Sequence, residues 1–178
     1  SIGLYVIYFP TWLEDTMHVS GSAIATLFLV GGIANVITGP IAGKLSDRTG
    51  RKPLIIVSCF GMGLVMILTP FLTSSIWIIY ALFGFAMVMM AIRMSPLQSL
   101  MTAIVEERRR GVLLSLAVSI GQVGIGIGGA VAGIAYVNFG FASNTFAGAI
   151  AIFGMALLVH KTLPEPQPGK SEVIDLGI

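Results

Sequence analysis

Eleven consecutive residues, Gly43-Lys-Leu-Ser-Asp-Arg-Thr-Gly-Arg-Lys-Pro53, hold the densest chemistry in the chain. Four cations, Lys44, Arg48, Arg51 and Lys52, surround one carboxylate, Asp47. Such a set makes and breaks ion pairs rather than covalent bonds. Asp47 can pair with Arg48 or Arg51, or face the positive N-terminal end of a neighbouring helix. Gly43 lets another backbone come close. Gly50 supplies a turn conformation that side chains resist, and Pro53 suits the first turn of a helix. The alternative is a basic loop that only sets orientation in a membrane. Arg93 is the one charge well inside an apolar run. A charge there is costly and by default functional. It lies about 17 residues into its run, roughly 26 Å at 1.5 Å per residue. From there it could snorkel to headgroups. Otherwise it lines a cavity, where it would bind an anionic group or pair with a carboxylate elsewhere. Pro96 could kink the same segment.

Bond-making chemistry finds no residues. There is no nucleophile–base set, no cluster of metal-ligand spacing and no G-x-x-x-x-G-K-[ST] phosphate loop. The single cysteine, Cys59, sits in an apolar run and reads as a small buried hydrophobe. No cofactor is implied.

The elements that must position these residues are membrane helices. The 178 residues are 56% hydrophobic and 10% charged, with a mean hydropathy of +0.95. A soluble domain carries about 25% charged residues, so this chain cannot cover a water-facing surface. That excludes an ordinary soluble enzyme and a nucleic-acid binder. A spanning helix needs about 20 apolar residues. Five runs qualify, at 21–43, 54–72, 76–99, 112–136 and 142–160, and residues 1–13 form a shorter sixth. The runs are continuous and lack a period of two, which argues against strands. Ser1 opens inside an apolar run with no basic flank, so the chain is expected to begin partway through a helix.

Nine of the ten Lys and Arg residues lie in alternate connections: 44–52, 108–110 and beyond 160. The intervening connections near 13–20, 72–75 and 137–144 hold none. The positive-inside rule then predicts that 44–52, 105–110 and 161–178 are cytoplasmic, with Glu14, Asp15 and His18 outside. The segment 162–178, with Pro164, Pro166 and Pro168, is expected to be a mobile cytoplasmic tail.

The stretch GKLSDRTGRK resembles the signature loop of the major facilitator superfamily, of the form G-x-L-[AS]-D-R-x-G-R-[RK]. Glu106-Glu-Arg-Arg-Arg-Gly111 is similar to the E-R-R-G turn that joins the fourth and fifth helices of each half in that family. The resemblance covers residues 1–161. It implies an all-α integral membrane protein, a six-helix half of a twelve-helix fold. It also implies that Gly43, Asp47, Arg48, Gly50, Arg51 and Lys52 form a conformational-switch loop. Tyr80 stands where the N-terminal half of the family usually has an arginine, four residues before Gly84, which favours the C-terminal half.

The fifth run is rich in glycine. Gly124 and Gly128, and likewise Gly129 and Gly133, are four apart, a spacing that permits close helix packing. The run also resembles the antiporter motif G-x-x-x-G-P-x-x-G-G, with Gly129 in place of its proline and Ala132 in place of a glycine. In the resembled fold the first, second, fourth and fifth helices of a half face a central cavity. Tyr5, Tyr8, Asn35, Gln98 and Gln122 thereby join Arg93 as candidate lining residues, interhelical hydrogen bonding being the alternative for the polar ones. The family implies secondary transport of a small-molecule substrate by alternating access, here proton-coupled efflux, with a metabolite or sugar importer or a non-transporting membrane sensor as alternatives. The expected partners are the lipid bilayer, the substrate and a missing other half of the polypeptide. No Asp, Glu or His lies inside a predicted span, so a proton carrier is expected in that other half.

Overall fold

The computed structural model describes residues 2–72, 75–104 and 110–162. The expected mobile tail beyond Thr162 and the Glu106–Arg109 part of the second basic connection lie outside the described residues. Seven helical segments follow one another, and no strand occurs among the described residues. They are α1 (Ile2–Val6), α2 (Phe9–Met17), α3 (Gly21–Thr49), α4 (Arg51–Leu68), α5 (Ile76–Ile104), α6 (Arg110–Phe139) and α7 (Phe141–Thr162). Helices α3 to α7 are long and apolar enough to cross a bilayer. Lipid offers no hydrogen bonds to backbone groups, so each span must satisfy its own, as an α-helix does.

The boundaries differ from the predicted ones in two instructive ways. The first run is interrupted: α1 and α2 meet at Ile7 and Tyr8. Pro10 has no N–H to give to the Val6 carbonyl, and its ring crowds that turn. The basic stretch 44–52 is not a loop. Helix α3 continues through Thr49, α4 starts at Arg51, and only Gly50 lies between them. Hydropathy marks where hydrocarbon ends, but a helix can continue beyond it while its backbone bonds are satisfied.

Side-chain contacts give the topology. Gly31 faces Phe83 and Met87, and Gly43 faces Ser95, so α3 and α5 run parallel. Gly3 meets Ile125, Ile7 meets Gly129 and Tyr8 meets Gly133, so α1 and α6 also run parallel. Phe60 lies against Phe153 and Phe71 against Phe146, so α4 and α7 are antiparallel. These pairs share one core, which includes Tyr5, Phe9, Phe83, Met62 and Ile152. At the end remote from Gly50 the core is aromatic. Phe9 stacks on Phe83 at 5.0 Å and Trp12 on Phe141 at 4.6 Å. Each such pair adds about 0.5–1.5 kcal/mol beyond simple burial. Among apolar lipid tails this specific packing carries more of the stability than water exclusion does.

Two helices are left largely uncovered. On α6 only Ala132 is buried. On α3, Val36 is 74% exposed, and Leu29, Val30, Ile33, Ile37 and Ile41 are exposed with it.

Candidate functional site

The basic corner is built from the ends of α3 and α4. Ser46 is buried, and its hydroxyl donates to the Gly43 carbonyl at 2.7 Å. The Gly50 N–H donates to the Ser46 carbonyl at 3.0 Å and closes α3. Gly50 then takes φ 91° and ψ 151°, a conformation open to glycine and strained for side chains. That single residue reverses the chain and starts α4 with no side-chain cap. Pro53 falls in the first turn of α4, where its missing N–H breaks no bond.

A Cβ added at Gly43 would come within 3.2 Å of the Ser95 hydroxyl, so the glycine sets how closely α3 approaches α5. Arg51 extends from the corner toward α5, its Nη1 donating to the Ser99 carbonyl at 3.5 Å. That length marks a weak, orienting contact. Lys52 is half-buried, whereas Lys44, Asp47 and Arg48 are exposed. The structure therefore ties the corner's glycines, Ser46 and Arg51 into this bundle and leaves Asp47 and Arg48 facing outward. Among the described residues, Asp47 has no ion-pair or hydrogen-bond partner.

The candidate lining residues do not gather in one place. Asn35 is half-buried on the α3 face that also carries Gly31. Gln98 and Gln122 are exposed on α5 and α6. Tyr8 is half-buried against Gly133. Two of the candidates, Tyr5 and Arg93, are enclosed within this half. Tyr5 is wholly buried, its hydroxyl 3.1 Å from Thr69 Oγ1. Thr69 already donates to the Val65 carbonyl at 2.7 Å, so the tyrosine is the donor and pins α1 to the end of α4. Arg93 is 2% exposed. Its face of α5 turns into the bundle.

The glycine stripe divides as well. Gly129 and Gly133 meet Ile7 and Tyr8 of the first run. Gly121, Gly124, Gly126 and Gly128 have nothing within 4 Å. A shallow apolar groove of about 430 Å³ runs along α3 alone, lined by Phe28, Leu29, Gly32, Ile33, Val36 and Ile37. No polar candidate touches it. Sequence reasoning missed the contact that joins Tyr8, Tyr136 and Asp15, because its partners lie 121 residues apart and no motif links them.

Spanning helices packed around a common core define a polytopic α-helical membrane protein. The match to the Major Facilitator Superfamily extends over residues 1–176, and the chain belongs to that family. It is 31% identical over 151 residues to multidrug resistance protein 2 of Bacillus subtilis (strain 168), which covers 80% of this chain and 36% of that protein. It is 27% identical over 165 residues to the uncharacterized MFS-type transporter YbcL of the same organism, covering 90% of this chain and 41% of that one. With tetracycline resistance protein, class B, of Escherichia coli it shares 33% identity over 81 residues, which is 44% of this chain and 20% of that protein. The chain thus spans well under half the length of these relatives.

Proposed function

We propose that this chain is one half of a secondary transporter that exports a small amphipathic solute by alternating access. The observation that carries the reading is the family match together with the bare faces of α3 and α6. A second six-helix half seated on those faces would enclose a pathway, and rocking of the halves would open it to each side in turn. The share of its relatives that the chain covers leaves room for such a half. The names of the relatives, which include multidrug and tetracycline resistance proteins, support drug-like solutes and efflux.

The basic corner acts as the latch in this mechanism. Asp47 and Arg48 sit on the last turn of α3 beside the Gly50 turn and face outward, where they can engage the end of a helix in the other half. Positive-inside orientation puts this corner and the C-terminal end of α7 in the cytoplasm. A proton gradient supplies the energy, through a titratable group in the other half.

The test is Asp47→Asn in the intact protein, reconstituted in vesicles and assayed for drug transport under an imposed pH gradient. Transport should fall at least about tenfold, the scale of one lost charged contact of about 1.4 kcal/mol. Membrane insertion should be unchanged. Full transport by this variant would remove the latch role.

A further inference from the structure

Where α2 meets α6, at the end of the bundle remote from Gly50, three side chains form a constructed cluster. Gly133 makes room for it: a Cβ there would collide with the Tyr8 hydroxyl. The ring of Tyr8, seated on that glycine, stacks on Tyr136 with centroids 5.3 Å apart and planes 23° apart. The Tyr136 hydroxyl donates to Asp15 Oδ2 at 3.1 Å. That bond aims the carboxylate, and its other oxygen, Oδ1, has no partner among the described residues. Asp15 is exposed, and the two tyrosines are half-buried.

The charge around the cluster is one-sided. Residues 13–20, 69–72, 75–76 and 137–144, at this end of the bundle, contain Glu14, Asp15 and His18 but no Lys or Arg. No described cation neutralises Asp15. Tyrosines are common at membrane interfaces as headgroup anchors. Here, however, they turn toward each other across a helix junction, and Tyr136 reaches a carboxylate. A stacked, half-buried tyrosine pair, whose aromatic rings attract cations, beside an oriented and uncompensated carboxylate makes a site for a positive charge on an apolar body. A simple metal ion would need more oxygen ligands than this cluster offers.

We propose that Tyr8, Tyr136 and Asp15 form a station for lipophilic organic cations at the mouth of the pathway remote from the basic corner. The proposal rests on the transport reading given above and adds a substrate class to it. Asp15 supplies the charge, Tyr136 orients it and adds a ring face, and Gly133 keeps Tyr8 in register.

The test measures tetraphenylphosphonium binding to the intact protein in nanodiscs of zwitterionic lipid, with neutral triphenylphosphine oxide as the control. Asp15→Asn should weaken tetraphenylphosphonium binding about tenfold, the cost of one charge and its cation–π support. Asp15→Glu should restore most of it, and Tyr136→Phe should weaken it by a smaller factor. The neutral control should bind all four proteins alike. Wild-type affinity in Asp15→Asn, or an equal loss for the neutral control, would overturn the station. Drug transport in vesicles separates the two readings. A transporting protein whose cation binding ignores Asp15 refutes the station alone. A protein that moves no solute but binds the cation through Asp15 refutes the transport reading and leaves the station standing.

Discussion

Replacing Gly31 by alanine tests the principal helix pairing of the fold. The new Cβ would lie 2.8 Å from Phe83 Cε1 and 2.9 Å from Met87 Cγ. Both are closer than carbon atoms pack, so something must shift. Phe83 has little freedom, being wholly buried between Phe9 at 5.0 Å and Phe28 at 4.9 Å. Overpacking of this kind costs about 1–3 kcal/mol. Alanine gains back about 0.5–1 kcal/mol over glycine within a helix. The net expectation is a loss of about 1–2 kcal/mol, or several degrees of melting temperature. Gly32, one residue on, has nothing within 4 Å. Gly32→Ala should collect the helix gain without the clash and leave stability equal or higher. The assay is thermal unfolding of the intact protein in detergent, followed by tryptophan fluorescence, with the two variants run side by side. If Gly31→Ala melts at or above Gly32→Ala, α3 is not seated on α5 through Gly31, and the parallel pairing argued above is wrong.

Two further predictions concern backbone geometry. Gly50→Ala forces a side chain into φ 91° and should destabilise the corner by about 1–3 kcal/mol, read as a lowered melting temperature together with impaired transport; a silent substitution would show that α3 and α4 do not reverse at that residue. His18 ends α2 in the left-handed region at φ 51°, where glycine is favoured, so His18→Gly should raise stability by about 1 kcal/mol in the same melting assay, and a drop would show that the imidazole makes a contact the backbone argument omits.

What could be read without a structure depended on how local each property is. Whether a segment enters lipid is decided by its own twenty or so residues, so the apolar runs and the alternation of basic connections were legible. The turn at Gly50 was legible for the same reason: a turn glycine and its flanking residues are adjacent in the chain. What the runs could not reveal was rotation about each helix axis. Helices in lipid are apolar all round, so no hydrophobic face announces which side is inside. Tyr5 and Arg93 were read as candidate lining residues, and only the packing of α1 against α4 and of α5 into the bundle shows that both are enclosed within this half. The same ambiguity hid which glycines work as contacts. Gly129 and Gly133 meet the first run while Gly124 and Gly128 stand open, although all four share one stripe. The Tyr8–Tyr136–Asp15 cluster is the extreme case. It joins the first run to the end of α6 across most of the chain, and it exists because the tertiary fold sets α1 and α6 parallel and in register.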